Sequence, residues 1–312
     1  MTRLLSFGIL SALFFSSTFI LNRAMSLQGG HWVWTASLRY GYMLVLLCLW
    51  LLVSGRSAVL RETVREYLRH WLFWTTAGSI GFGVFYALLS FSATRAPGWV
   101  VATAWQATIL ATPLVLLMFG KRVPAKGLAF SLFIFSGIAL VTVEQATSNT
   151  TGEMLIGLLA VLSAALAYPL GNQLLWEAKH GSHTLIPRIC DPVVDNSIAR
   201  VLLMVLGSLP FWGILILTVS PPPPSEGQLL STALVALLSG VIATTLFLHA
   251  RHQAKTPYEL AAIDSTQATE VLFALLGEII FLQGTLPGLT ATCGIFSVIA
   301  GLALFIRAQS RT

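Results

Sequence analysis

The stretch Thr94-Arg95-Ala96-Pro97, followed nine residues later by Gln106-Ala107-Thr108, recurs in the second half of the chain. There Ala254-Lys255-Thr256-Pro257 is followed ten residues later by Gln267-Ala268-Thr269, so the two Gln-Ala-Thr motifs are 161 residues apart. Similarity at a fixed offset is the sequence signature of a repeated structural unit. The chain is therefore predicted to consist of two copies of one unit.

The composition around this repeat is that of an integral membrane protein. The chain has 312 residues, of which 56% are hydrophobic and only 10% charged, and its mean hydropathy is +0.81. Soluble proteins carry about 25% charged residues, which they need to cover their surface. A membrane-spanning helix takes about 20 residues, so the whole chain is used by about ten of them. No length remains for a soluble domain, and the long continuous apolar runs indicate helices rather than a β-barrel.

We expect ten membrane-spanning helices, called spans 1 to 10. Prolines open four of them, because the first turn of a helix does not use the missing N–H group. The predicted spans cover residues 4–22, 32–53, 71–92, 98–119, 127–143, 154–175, 201–220, 228–249, 258–282 and 288–306.

Basic residues in the loops set the predicted orientation. Cytoplasmic loops of membrane proteins are enriched in Lys and Arg. With the N-terminus inside, only Arg23 and Arg95 fall in outer loops, and both termini are cytoplasmic, as expected for a multi-pass protein of the inner or plasma membrane. Fourteen basic residues then lie inside: Arg3, Arg56, Arg61, Arg65, Arg69, Lys121, Arg122, Lys126, Lys179, Arg188, Arg251, Lys255, Arg307 and Arg311.

The repeat divides the chain into residues 1–148 (spans 1–5) and residues 149–312 (spans 6–10). Since five is odd, the second copy enters the membrane upside down. The charges agree, because the loop between spans 2 and 3 holds four arginines and its counterpart, Ser220 to Gln228, holds none. Inverted repeats are typical of carriers, whose central site opens alternately to the two sides of the membrane.

Several short motifs extend the comparison to a known family. They are Ser37-Leu38-Arg39-Tyr40 in span 2, Phe85-Tyr86-Ala87-Leu88 in span 3 and Glu270-Val271-Leu272-Phe273-Ala274 in span 9, with glycine-centred spans 5 and 10. With its motifs in this order, the chain resembles the ten-helix, EamA-like branch of the drug/metabolite transporter superfamily. Within that branch it most resembles bacterial YddG-type amino-acid exporters. The resemblance implies a cavity lined by spans 1, 3, 4, 6, 8 and 9, with spans 5 and 10 at the periphery. It also implies export of amino acids, aromatic ones included, or of related metabolites and drugs.

Span 9 holds the densest set of polar residues inside the membrane. At about 100° per residue, its polar side chains fall within a sector of about 120° that should face the bundle interior. A carboxylate at such depth is costly, and it can bind an ammonium group or carry a proton. The alternative is a structural pair with a neighbouring hydroxyl, amide or arginine. The residues are Asp264, Gln267, Glu270 and Glu278.

The amides Gln106 and Gln267 occupy equivalent positions in the two copies, which should bring them to similar depth across the cavity. An uncharged donor and acceptor suits a zwitterion that must bind and leave. Amides also serve as links between membrane helices. Further candidates for the cavity wall are Trp105, Tyr86, Tyr168 and Asn172, the last two beside Pro169, where span 6 is expected to kink.

Other classes of function find no support in the sequence. Arg39 and Arg200 are interpreted as structural, pairing with helix-end carbonyls or phosphates. Metalloprotease, hydrolase and ATP-binding signatures are absent, and no catalytic residue, metal ligand or cofactor is predicted. The sequence thus predicts a secondary carrier for amino acids, without nucleic-acid partners and functional as a monomer in the bilayer. The alternatives are a multidrug exporter of the same superfamily and, less favoured, a non-transporting membrane enzyme or sensor.

Overall fold

The structure, a computed structural model, describes residues 2–121, 125–148, 151–180, 183–253, 259, 263–264 and 266–309. In this part of the chain every regular element is helical. Seven helical stretches are long and apolar enough to cross a membrane, which makes this a multi-pass membrane protein. They are Thr2–Leu27, Trp32–Val53, Trp71–Ser92, Gly98–Met118, Gly152–His180, Ser197–Val219 and Glu226–Arg251, and they correspond to spans 1 to 4 and 6 to 8.

Helices also occupy the other three predicted spans. Span 5 contains the helix Ala125–Ser148, span 9 the helix Thr269–Leu282, and span 10 the helix Leu289–Gln309. Ten membrane crossings, and the side on which each terminus lies, stay predictions. The repeated prolines and basic residues at positions 254–257 and 122–124 lie outside the described residues.

Span 1 is longer at both ends than predicted. Its helix continues to Leu27, past Asn22 and Arg23, which the sequence placed at its outer end. Both polar side chains find partners within the bundle. The Tyr86 hydroxyl donates to Asn22 Oδ1 at 3.2 Å, and Arg23 Nη1 donates to the Ala93 carbonyl at 3.0 Å. A satisfied polar group does not end a membrane helix.

Residues Ser57–Arg69 form a helix where the sequence indicated only a loop between spans 2 and 3. The helix is amphipathic, with Thr63 and Glu66 buried against the bundle and its arginines outside. Glu66 Oε1 lies 2.7 Å from His70 Nδ1 and accepts the indole N–H of Trp74 at 3.2 Å. These bonds hold the amphipathic helix to the start of span 3.

Spans 3 and 8, which correspond in the two predicted copies, each contain a π-helical segment. These segments are Ser79–Val84 and Ala236–Ala243. A π-turn widens a helix locally and frequently accompanies a functional site. At the first segment, Gly81 lies so close to Gly171 of span 6 that a side chain on Gly81 would come within 2.9 Å of the Gly171 Cα.

Spans 5 and 10 pack on each other. A side chain on Gly137 would meet the Gly294 carbonyl at 2.5 Å, and one on Gly294 would meet the Gly137 carbonyl at 2.6 Å. Glu144 of span 5 accepts the backbone N–H groups of Gly288 (2.7 Å) and Ala291 (2.8 Å) at the start of span 10. The two helices therefore approach each other closely at these two glycines.

Candidate functional site

A cavity of about 710 Å³ lies between spans 1 to 4 and 6 to 9. Its wall includes residues of spans 2 and 7, which the family resemblance did not include. Span 10 contributes only Leu302 from its described part, and span 5 contributes none of its described residues. The charged and amide side chains on the wall are Arg39, Gln106, Asn172, Arg200, Arg251, Asp264, Gln267 and Glu270.

The cavity extends to one end of the bundle and is closed at the other. Its lining reaches Leu116, Ser197 and Arg251, which lie at the end of the bundle where span 1 begins. Towards the opposite end Leu89, Ala96 and Trp99 are each 3% exposed. Among the residues that the structure describes, the cavity thus reaches the first of these ends, and buried side chains pack the other.

Polar contacts join several spans at the closed end. Glu278 Oε2 accepts the backbone N–H of Trp99 at 3.1 Å, which ties span 9 to the start of span 4. Gln228 Nε2 of span 8 donates to the His31 carbonyl (2.8 Å) and to Thr35 Oγ1 (2.9 Å) at the start of span 2. Such contacts would have to break for access from this side.

Both Gln-Ala-Thr motifs interrupt their helices. In span 4 the α-helix stops at Trp105 and resumes at Thr108. Here the N–H of Gln106 bonds to the Thr103 carbonyl (3.2 Å) and that of Ala107 to the Ala104 carbonyl (3.0 Å), the tight i−3 pattern of a 3₁₀ turn. In span 9, Thr266–Ala268 is itself a 3₁₀ turn before the helix begins at Thr269. Broken helices are the usual place for a site within a carrier.

The amides of the two motifs line the cavity. Gln106 is 5% exposed, and its Nε2 makes a long bond of 3.4 Å to the Ala102 carbonyl. Gln267 Nε2 donates to Ser11 Oγ of span 1 at 3.2 Å. Their position at similar depth across the cavity and their role as ligands stay predictions.

The three carboxyl groups of span 9 have different surroundings. Glu270 is 6% exposed and lines the cavity, and no hydrogen bond or ion pair reaches it from the described residues. Asp264 also lines the cavity, but it forms an ion pair with Arg251, as in the structural alternative. Glu278 caps span 4 and lies outside the cavity wall. Glu270 is therefore the carboxylate of this set that is positioned to meet a ligand.

Aromatic rings form one side of the wall. Trp105 and Tyr168 are 5.6 Å apart between ring centroids, and both contact Phe85. Asn172 lines the cavity one helical turn beyond Tyr168. The expected kink at Pro169 is not observed as a break, because the helix Thr151–His180 is continuous.

Tyr86 is fully buried and lies behind the wall rather than on it. Its ring supports the guanidinium of Arg39, whose Cζ lies 4.1 Å from the ring centroid. The prediction that Arg39 pairs with helix-end carbonyls or phosphates was wrong. Its Nη2 donates to Ser239 Oγ at 3.0 Å and its Nη1 to Thr18 Oγ1 at 3.4 Å, well inside the bundle.

Arg200, the repeat partner of Arg39, also lines the cavity, and its Nη2 donates to Ser197 Oγ at 3.2 Å. An arginine within a membrane span is a candidate functional residue by its cost alone. The free-energy cost of placing an arginine in a membrane span was the signal in the sequence that could have identified Arg39 and Arg200 as candidate site residues.

The family profile described as "EmrE: Putative multidrug resistance efflux transporter" matches residues 2–311. The chain is 39% identical over 315 residues to "Uncharacterized protein YjlA" of Bacillus subtilis (strain 168), covering 95% of this chain and 92% of that one. It is 36% identical over 276 residues to "Uncharacterized 42.1 kDa protein in intracellular alkaline protease 3'region" of Shouchella clausii, covering 84% of this chain and 69% of that one. The chain also matches a crystal structure of a protein that is 15% identical in sequence, with a TM-score of 0.60. The match covers 100% of this chain and 98% of the other chain, and it shows a likeness of fold alone.

Proposed function

Because the chain belongs to the EmrE family of multidrug resistance efflux transporters, we propose that it is a secondary carrier that exports small metabolites, most of all amino acids. The family is one of transporters, which implies a carrier rather than an enzyme. Its substrate is then a small molecule, and its environment a lipid bilayer.

The observation that carries this proposal is the carboxylate of Glu270 on the wall of a central cavity, which has no ion-pair or hydrogen-bond partner among the described residues. The cavity, about 710 Å³ in volume, has the size of a small-molecule site. Its wall combines the ring of Trp105, the amides Gln106 and Gln267 and the carboxylate of Glu270. A zwitterionic amino acid with an apolar side chain matches these groups, since its ammonium needs an acceptor and its side chain an apolar wall.

The inverted repeats remain part of the proposal, with residues 1–148 as one copy and 149–312 as the other. The π-segments in spans 3 and 8, the helix breaks at both Gln-Ala-Thr motifs and the glycine contact between spans 5 and 10 support it. With ten crossings and both termini in the cytoplasm, the open end of the cavity faces inward. An exporter at rest in that state takes up its substrate from the cytoplasm, and a complete pair of repeats acts as a monomer.

The test is flux into liposomes. The purified chain is reconstituted, and uptake of labelled phenylalanine and threonine is measured against empty liposomes, with and without an imposed pH gradient. We expect uptake of both amino acids above the empty-liposome background. Uptake that changes with the pH gradient would identify proton coupling. Uptake that is the same with and without the gradient would identify a facilitator.

Export of drug-like cations is the second candidate, because the family description names multidrug efflux. The same liposomes are therefore tested with a labelled lipophilic cation. Uptake of the cation together with no uptake of either amino acid, from a folded and monodisperse sample, would refute the amino-acid assignment in favour of drug export.

A further inference from the structure

Arg39 is a buried cation on the cavity wall without an anionic partner. Its side chain is 9% exposed, and among the described residues no carboxylate forms an ion pair with it. In the described part of the chain its polar contacts are two hydroxyls and the Tyr86 ring, and its buried Nε has no hydrogen-bond partner there. A guanidinium has five N–H donors, so most of its capacity is unused.

The other charges of the cavity leave Arg39 unbalanced. Arg251 is neutralised by Asp264, with which it forms an ion pair. Arg200 and Glu270 remain, and neither forms an ion pair with Arg39. An unpaired charge inside a membrane protein is costly and is retained where it has a function.

We propose that Arg39 binds the carboxylate group of the transported amino acid, and that this contact selects zwitterions over cations that lack a carboxylate. The inference rests on the proposed function and adds to it the chemical group that the substrate must carry. The planar fork of a guanidinium matches the two oxygens of a carboxylate. The Tyr86 ring and the Ser239 hydroxyl hold that fork in place.

The positions of Arg39 and Glu270 along span 1 fit one zwitterion between them. Gln267 bonds to Ser11 and Arg39 bonds to Thr18, and seven residues of helix rise about 10 Å. Spans 1 and 9 run parallel, as shown by two contacts: Gly8 lies against Thr266, and Ile20 against Gly277.

Glu270 is three residues beyond Gln267, which brings it about 4.5 Å closer to the level of Arg39. About 6 Å of rise remains between the two charged residues. No ion pair joins the two side chains among the described residues. A small molecule that carries both an ammonium and a carboxylate can lie between them.

The experiment compares two ligands that differ at one group. At mildly acidic pH, where both α-amino groups are protonated, L-phenylalanine and L-phenylalaninamide share the ring and the ammonium, and only phenylalanine carries a carboxylate. Apparent dissociation constants are obtained from the ligand dependence of thermal unfolding of the full chain in detergent, for the wild type, Arg39→Gln and Arg39→Lys. Arg23→Gln is the matched control, because Arg23 is a partly buried arginine outside the cavity wall.

We expect the wild type and Arg23→Gln to bind phenylalanine at least about tenfold more tightly than the amide, the usual strength of a charge-assisted hydrogen bond. In Arg39→Gln the preference should fall below about threefold. Arg39→Lys keeps the charge and loses the fork, so an intermediate preference is expected and the assay remains decisive if Arg39→Gln does not fold.

The proposal is overturned if the wild type binds the two ligands equally well or binds neither of them. It is also overturned if Arg39→Gln or Arg39→Lys retains the full preference for phenylalanine, or if Arg23→Gln loses that preference. Liposome flux separates this inference from the proposed function. If the protein takes up phenylalanine but binds both ligands equally, the carboxylate site is refuted and the carrier function stands. If binding depends on Arg39 but no flux is observed, the carrier function is refuted and the carboxylate site stands.

Discussion

Glu270→Gln should reduce transport strongly while leaving the fold intact. Glu270 is 6% exposed, faces the cavity and makes no contact with a cation or hydrogen-bond donor among the described residues. Glutamine has nearly the same shape, so the substitution removes a charge without creating a void. The structure around Glu270 therefore loses no bond that the folded chain depends on.

The magnitudes follow from the burial of this carboxylate. Burying an ionised carboxylate without a cation beside it costs free energy, and a neutral isostere costs less, so we expect the variant to be about 1–3 kcal/mol more stable. Removing a charge-assisted contact to the substrate ammonium costs about 1.5–3 kcal/mol, which corresponds to a loss of uptake of about 10- to 100-fold.

The assay combines uptake of labelled phenylalanine into liposomes with thermal unfolding of the same preparations. Glu144→Gln is the matched control. Glu144 is also a carboxylate in a span, but it holds spans 5 and 10 together outside the cavity. We expect this control to lower the unfolding temperature and to retain uptake.

The reasoning would be refuted by the opposite pattern for Glu270→Gln, with uptake retained and stability reduced. Glu270 would then be a structural residue, and the cavity would recognise its substrate by other groups.

Three further outcomes are expected. In a background without the native cysteines, Thr112→Cys on the cavity wall should react with a water-soluble maleimide, while Ala96→Cys at the closed end should not. Gly81→Val should lose about 1–3 kcal/mol of unfolding free energy, because its side chain would collide with span 6. Lys121→Met should lose about 1–3 kcal/mol, since it removes the cation 3.1 Å from the buried carboxylate of Glu177, and Glu177→Gln in the same chain should restore part of that loss.

Each of these outcomes has a control or a contrary result. Reaction of Ala96→Cys but not Thr112→Cys would mean that the opposite end of the cavity is open. Gly41→Val is the control for Gly81→Val, because nothing lies within 4 Å of a side chain added at Gly41, and thermal unfolding should distinguish the two variants. Additive effects of the Lys121 and Glu177 substitutions, measured by the same unfolding assay, would contradict the coupling of that pair.

Periodicity and composition were sufficient for the class of fold. Ten runs of apolar residues predicted helices that the structure contains, because in a bilayer the backbone must satisfy its own hydrogen bonds and each run folds as a local unit. The repeat of Gln-Ala-Thr also located two of the side chains on the cavity wall, Gln106 and Gln267. The amphipathic helix Ser57–Arg69 was missed, since its arginines dominated the interpretation of that segment as a loop.

Partners across the bundle could not be obtained from the sequence. By helical position Asp264, Glu270 and Glu278 share one face of span 9, but Arg251 neutralises the first and the backbone of Trp99 binds the third. Only Glu270 is left to meet a ligand. Arg39 likewise was predicted to pair with helix-end carbonyls or phosphates, whereas in the structure it lines the cavity and bonds to Ser239 of span 8.

The sequence by itself determined which apolar segments become helices, because helix formation and membrane insertion depend on residues close together along the chain. Tertiary structure decided which polar groups neutralise one another and which remain available, because those contacts join residues up to 256 positions apart, as between Ser11 and Gln267. The electrostatic interaction of a buried charged group is strongest with groups within a few ångströms. The sequence of one helix does not specify which side chains of the neighbouring helix lie within that distance.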